Sequence, residues 1–125
     1  MKKNIFIDFL FIVMIIVGTP ALAVIEINDI EELQKIGNDS GYPLDGDYIL
    51  GNDIDASATV SWNGGKGFKP IAPDTDSGSE FYQGTYFTGT FDGKGYTINI
   101  LYIYRPDEEF VGLFGATSQS SISQI

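Results

Sequence analysis

Carboxylates are the main candidates for catalytic side chains in this chain of 125 residues, because it contains no histidine and no cysteine. Without those two residue types, the common nucleophile pairs and zinc sites lack their parts. Two acids that flank a glycosidic bond can still hydrolyse it, and the close pairs here are Asp53 with Asp55 and Asp74 with Asp76. All four acids lie in turn-like sequence, where such residues are common. We therefore expect no enzymatic activity, no catalytic residue and no cofactor.

A metal site is the next chemistry that the acids could support. The spacing of Asp53, Asp55 and Ser57 resembles the start of an EF-hand loop. That loop also needs a glycine at its sixth position and a closing glutamate at its twelfth, and neither is present here. The alternative is that Asn52 and Asp53 hydrogen-bond their own turn. We expect no metal site.

The single tryptophan, Trp62, is the remaining candidate for ligand contact, together with Asp53 and Asp55. It stands in a small, polar, glycine-rich loop over residues 56–67, which either packs the indole down or displays it. An exposed Trp62 in a groove beside acids favours a carbohydrate-binding or carbohydrate-cleaving protein. A Trp62 buried under the loop favours a scaffold.

Short elements must position these residues. Residues 24–27 predict a first strand, and Asn28 or Asp29 can cap a following helix. Ile30, Leu33 and Ile36 are spaced three apart and give that helix an apolar stripe. Residues 46–50 then predict a second strand, directly before the Asp53 and Asp55 pair.

The spacing of apolar residues between 96 and 104 breaks the period of two that a single strand requires. Ile98, Leu101 and Ile103 are three and then two positions apart, which indicates a bend between two short strands. A weak repeat indicates that similar stretches of chain stack on one another as layers. The pattern over residues 46–51 recurs at residues 84–89 in four of its six positions. Short strands joined by bends, layer after layer, are typical of a parallel β-helix.

The first 23 residues have the order of a secretory signal peptide. Two lysines near the start precede an apolar run over residues 9–17, and Ala21-Leu22-Ala23 forms an A-x-A cleavage site. A retained membrane anchor is the alternative, but Asp8 precedes the run and a glycine follows it, so it is shorter than the roughly 20 residues of a membrane span. We expect export, cleavage after residue 23, a secreted or cell-surface location, and no membrane contact afterwards.

Charge narrows the set of partners. The chain has 17 acidic and 7 basic residues, which gives a formal net charge of −10. This charge repels phosphate backbones and anionic membranes, so we expect no nucleic-acid binding. Without cysteine, an exported chain has no disulfides and depends on core packing and backbone hydrogen bonds.

Five blocks, in order, carry a resemblance to a known family: residues 27–36, 48–55, 67–71, 87–98 and 111–115. Together they are similar to the N-terminal part of bacterial and archaeal surface proteins with GLUG-type repeats. That family shares β-helix character with filamentous-haemagglutinin-like adhesins and with the non-catalytic region of immunoglobulin-A-cleaving metalloproteases. Two positions depart from the pattern: Ala72 replaces a usual glycine, and Ile100 replaces a frequent asparagine.

The resemblance implies an all-β fold: a partial right-handed parallel β-helix of few rungs over residues 24–125, with an N-terminal signal helix and one short capping helix. It implies a binding, adhesion or scaffold role, with a surface protein or glycan as partner. Ile122 and Ile125 repeat the spacing of Ile98 and Leu101, which resembles the start of another rung. We therefore expect a module that is incomplete at its C-terminal side, either truncated or part of a longer repeat protein, and that associates with itself through that open rung.

Overall fold

A computed structural model describes residues 23–125. The signal peptide predicted over residues 1–23, with its signal helix, therefore lies outside the described residues, except for Ala23. Within the described part, no helix is long and apolar enough to cross a membrane.

Six short strands, one α-helix and one 3-10 segment make up the described residues, 23–125. In chain order they are β1 (Val24–Ile27), α1 (Ile30–Lys35), β2 (Asp47–Leu50), β3 (Ile54–Asp55), the 3-10 segment (Ser57–Gly65), β4 (Thr90–Asp92), β5 (Ile98–Asn99) and β6 (Ser121–Ser123). The strands form two parallel sheets, one of four strands in the order β1-β2-β4-β6 and one that pairs β3 with β5. In the larger sheet, Tyr48 lies between Ile25 and Phe91, and Phe91 is followed by Ile122.

The expectation of an all-β right-handed parallel β-helix is wrong. The described residues form two small parallel sheets together with an α-helix and a 3-10 segment, a mixed α/β arrangement in which the strands of residues 23–125 do not close into a solenoid. The physical reason lies between β3 and β4, where the chain runs through the 3-10 segment and glycine-rich and proline-containing loops. Those loops pair with the rest of the chain through isolated bridges, as at Ile71 and Phe87, and not through continuous strands.

The short helix predicted after Ile27 is present as α1, and local signals explain its start. Asp29 is the N-cap, and its carboxylate accepts a hydrogen bond of 2.8 Å from the backbone N–H of Glu32. Glu32 in turn accepts a hydrogen bond of 2.7 Å from the backbone N–H of Asn28, so the two acids satisfy donors that the first turn leaves free. Gly37, at φ 81°, follows the helix in the left-handed conformation that glycine adopts easily.

The core combines residues of α1, of both sheets and of the segments between them. The apolar residues of α1 and those on the inner face of the strands are buried together, with the aromatic rings of Tyr48, Phe87 and Phe91 among them. Phe114 packs against two of these rings, at centroid distances of 5.0 Å from Phe87 and 5.5 Å from Phe91. Each such side chain contributes about 1.5–3 kcal/mol by leaving water, which holds strands that are too short to be stable alone.

Candidate functional site

Asp53, the first of the two predicted contact acids, bonds to the residue that precedes β5. It stands just before β3, and its Oδ1 accepts hydrogen bonds from the backbone N–H of Thr97 at 2.9 Å and from the Thr97 hydroxyl at 3.2 Å. The alternative prediction, that Asp53 hydrogen-bonds its own turn, is therefore wrong, because its partner is Thr97. This carboxylate links the segments that lead into β3 and β5.

Asp55, the second predicted contact acid, is fully exposed and forms a turn with Ser57. Its Oδ1 accepts a hydrogen bond of 2.9 Å from the backbone N–H of Ser57. Bonding from the Ser57 hydroxyl, and then from this N–H, lowers the pKa of the Asp55 carboxyl below its ordinary value. Within residues 23–125, no three acids cluster in a way that could hold a metal ion.

The other acidic pair, Asp74 and Asp76, organises the loop that precedes residue 84. Asp74 Oδ1 accepts hydrogen bonds from the backbone N–H groups of Thr75 at 3.0 Å and Gln83 at 2.7 Å. Asp76 accepts one from Gly78 at 3.0 Å. Both acids therefore hold backbone donors, which is the ordinary structural use of aspartate in turns.

Trp62 lies half-buried at the kink of the 3-10 segment and packs against the core. It also lines a surface groove of about 440 Å³, whose lining residues are Gln34, Asn38, Trp62, Asn63 and Lys69. This groove, which we call the Trp62 groove, contains no carboxylate. Trp62 therefore matches neither alternative in full. It is not buried under its loop, because it is half-exposed, and its groove does not contain Asp53 or Asp55.

The groove is formed where three parts of the chain meet. α1 and the turn after it supply Gln34 and Asn38, the kinked 3-10 segment supplies Trp62 and Asn63, and the segment leading to Ile71 supplies Lys69. Hydrogen bonds within the protein hold these parts together. They therefore form a fixed surface with one aromatic ring, three amides and one ammonium group.

A larger open cleft was missed by sequence reasoning. It has a volume of about 910 Å³ and lies between the turn over residues 37–45 and the segment over residues 84–88. Tyr42, Tyr86, Asp39 and Asp45 contribute side chains to it. The recurrence of residues 46–51 at 84–89 marks one wall of this cleft, but the sequence does not reveal that the two walls face each other.

Comparison with known proteins gives one informative similarity. No protein-family model matches the chain, and no solved structure matches it. The chain is 43% identical over 107 residues, 84% of its length, to halomucin of Haloquadratum walsbyi (strain DSM 16790 / HBSQ001). It spans 1% of the length of halomucin. The similarity therefore concerns one segment of a much longer protein, and these comparisons do not support the narrower resemblance to GLUG-type repeats.

Proposed function

We propose that this chain is a secreted or cell-surface module that acts by binding, by adhesion or by presenting other modules. The observation that carries this proposal is the similarity to halomucin over 84% of the chain, which fits a protein of the cell surface. The A-x-A site that follows the apolar run and the net charge of −10 agree with export, since strong charge keeps proteins soluble. The five blocks that resemble GLUG-type surface proteins support the same class.

The module is proposed to have no catalysis of its own. Carboxylate catalysis requires two acids that face one bond across a cleft. Asp53 and Asp55 instead bond to Thr97 and Ser57, and neither lines the Trp62 groove. These contacts support a structural use of the acids.

The location can be tested by adding a C-terminal epitope tag to the full chain and fractionating the host cells. We expect the tag in the medium, or on intact cells where added protease removes it. The secreted product should have the mass of residues 24–125 plus the tag, because cleavage at the A-x-A site removes the first 23 residues. Tag confined to the cytoplasm would contradict the proposal, and a membrane-bound product that keeps residues 1–23 would show an anchor in place of a signal peptide.

Carbohydrate binding is the second candidate function, and the half-exposed Trp62 in its groove favours it. An indole ring is a large, rigid and partly polar surface that suits stacking against the apolar face of a sugar. A glycan-array screen of the exported chain tests this candidate. The matched variant Trp62→Leu keeps an apolar side chain but removes the ring, so specific signals should disappear while circular dichroism stays unchanged. Array signals that survive in this variant would contradict a Trp62 site.

A further inference from the structure

The Trp62 groove is free of acids in a chain that is rich in them. Three other surface clefts of the described residues contain acids. Asp39 and Asp45 lie in the cleft of about 910 Å³, Asp74 and Glu108 lie in a small cleft beside the groove, and Asp47 and Asp92 lie along the four-stranded sheet. The Trp62 groove instead combines the indole with Lys69 and the amides of Gln34, Asn38 and Asn63. The lining of the groove therefore has one cation and no carboxylate, in a chain whose net charge is −10.

Hydrogen bonds hold the walls of this groove in place. The Gln34 side chain bonds the Lys69 backbone in both directions, accepting from its N–H at 2.8 Å and donating to its carbonyl at 2.9 Å. Asn63 donates to the Gly67 carbonyl at 2.7 Å, and the Gly67 N–H donates to the Trp62 carbonyl at 3.0 Å. The site is thus preorganised, which reduces the entropy that a ligand must overcome on binding.

The amide groups retain capacity for a ligand. Asn38 and Asn63 each donate one side-chain hydrogen bond within the protein, to the carbonyls of Gln34 and Gly67. A side-chain amide has two N–H donors and a carbonyl acceptor. Each asparagine therefore keeps a donor and an acceptor with which it can bond sugar hydroxyls.

Lys69 differs from the other cations of residues 23–125. Lys66 and Arg105 pair with Glu108, Lys94 pairs with Asp92, and Lys35 lies over the Tyr42 ring. The Lys69 ammonium has no carboxylate within 4.0 Å among the described residues. It also borders a small neighbouring cleft that contains Asp74 and Glu108, without forming an ion pair there.

We propose that the Trp62 groove binds an acidic saccharide of the uronic-acid type. The apolar face of the sugar ring stacks on Trp62, its hydroxyl groups bond the amides of Asn38 and Asn63, and its carboxylate pairs with Lys69. A neutral sugar can offer the Lys69 ammonium only hydroxyl oxygens, whereas a hydrogen bond between two charged groups is about twice as strong as a neutral one. This inference rests on the proposed binding role and specifies its ligand class.

Most of the negative charge of the chain opposes an acidic ligand only at long range. Interactions between exposed charges decay over about 8 Å at physiological ionic strength. Contact with Lys69 acts well inside that distance. The adjacent ammonium therefore favours an acidic ligand in the groove. Asp74 and Glu108 in the neighbouring cleft reduce this preference, and the more distant carboxylates mainly slow the approach of the ligand.

The experiment uses the exported full chain in 0.15 M salt, with trigalacturonate as the acidic probe and galactotriose as its neutral counterpart. Trp62 is the only tryptophan, so its fluorescence reports on the groove directly. We expect a saturable change with trigalacturonate and about two- to fivefold weaker binding of galactotriose, the ratio that one solvent-exposed ion pair provides. Lys69→Gln should weaken trigalacturonate binding about two- to fivefold, because it removes the ammonium group. The groove itself should be kept, since Gln34 bonds only the backbone of residue 69.

Lys94→Gln is the matched control, since it removes the same charge outside the groove and should leave binding unchanged. Equal binding of both sugars, or unchanged binding in Lys69→Gln, would overturn the preference for an acidic sugar while leaving carbohydrate binding intact. No saturable change with either probe would overturn the Trp62 groove as the site. The surface location is tested separately by fractionation, so its failure is distinguishable from these outcomes.

Discussion

At the scale of single residues, Ile100 has a backbone conformation that is unfavourable for its side chain. It lies at φ 60° and is 73% exposed, so a β-branched residue occupies the left-handed region without gaining burial. This turn ends β5 at Asn99 and explains why Ile98, Leu101 and Ile103 do not follow a period of two. The bend predicted from their spacing is therefore present, at Ile100.

Replacing Ile100 with asparagine should stabilise the protein. Asparagine tolerates the left-handed region because its short polar side chain bonds locally, and we expect Ile100→Asn to raise the free energy of unfolding by about 1 kcal/mol. Urea denaturation measures this change. Val111→Asn is the control, because Val111 is also exposed and β-branched but is not at positive φ. A gain of equal size in both variants would show that lost surface apolarity, and not backbone strain, is responsible.

Tyr48 combines burial with a polar tip. Its ring is in the core at 1% exposure, and its hydroxyl donates a 2.6 Å hydrogen bond to the Pro43 carbonyl. Burial, with a smaller effect from the Asp45 charge, raises the pKa of Tyr48 well above its ordinary value. The unfolded chain therefore loses this proton first, near pH 10. The stabilising contribution of neutral Tyr48 is complete below that pH and is lost as the pH rises further.

The Tyr48→Phe variant should reveal this proton in the pH dependence of stability. At pH 7 we expect it to lower the free energy of unfolding by about 1 kcal/mol, through loss of the hydrogen bond to Pro43. Above pH 10 its stability should fall less steeply than that of the unmodified chain. Part of the fall should remain, because burial also raises the pKa of Tyr82. Exposed Tyr104→Phe is the control, and parallel pH profiles for all three proteins would refute the assignment.

At the scale of elements, the close approach of β2 and β4 depends on Gly89. The Gly89 N–H donates a 3.2 Å hydrogen bond to the Leu44 carbonyl, and the next N–H, of Thr90, donates to the Gly46 carbonyl at 3.1 Å. A Cβ atom at position 89 would collide with the Gly46 carbonyl oxygen. The obstacle is backbone, which cannot rotate away as a flexible side chain can.

Gly89→Ala should therefore destabilise the sheet. We expect a loss of about 1–3 kcal/mol in the free energy of unfolding, as for other overpacked sites, with a lower Tm in thermal denaturation. Gly41→Ala is the matched control, since the nearest atom to its new methyl group would be Asp39 Oδ1 at 3.4 Å. Equal Tm values for the two variants would mean that β2 and β4 do not approach as closely as the structure indicates.

The elements differ in how far the sequence predicts them. α1 is predictable because the cap at Asp29 and the apolar spacing of Ile30 and Leu33 act within a few residues. Strand pairing between β2 and β4 joins residues that are far apart in the chain. Thr90 lies opposite Asp47, and the Thr90 hydroxyl donates a 2.8 Å hydrogen bond to the Asp47 carboxylate. The β-helix expectation assumed that strands continue from layer to layer, and the 3-10 segment after β3 breaks that continuity.

The candidate site also combines a residue that the sequence indicates with residues that only the fold brings together. Trp62 stands out in the sequence as the only tryptophan in a polar loop, so it could be selected without a structure. Its neighbours Gln34 and Lys69 could not, because they meet through reciprocal hydrogen bonds between distant segments. The sequence groups Asp53 and Asp55 with Trp62 as one candidate contact site only because the three residues are close in the chain. The fold directs these acids to Thr97 and Ser57 instead.

At the scale of the whole molecule, charge is distributed unevenly along the chain. Residues 110–125 contain no ionisable side chain, although the chain as a whole carries −10. This neutral segment includes β6, the edge strand of the larger sheet, whose outer side has no strand partner within the described residues. Exposed apolar side chains lie in the same segment, with Val111 at 42% and Ile125 at 62% exposure. Proteins usually protect sheet edges with charge, and this edge has none.

We expect the chain to associate with itself through β6, because an unprotected edge offers backbone donors and acceptors to a second strand. Sedimentation velocity in 0.15 M salt should show an average sedimentation coefficient that rises with protein concentration. Ser123→Lys should reduce this association, since it places a charge on the exposed edge strand, where two copies would bring like charges together. Ser40→Lys, which adds the same charge to the turn after α1, is the control. A monomer at every concentration, with a Tm that is independent of concentration, would refute association through this edge.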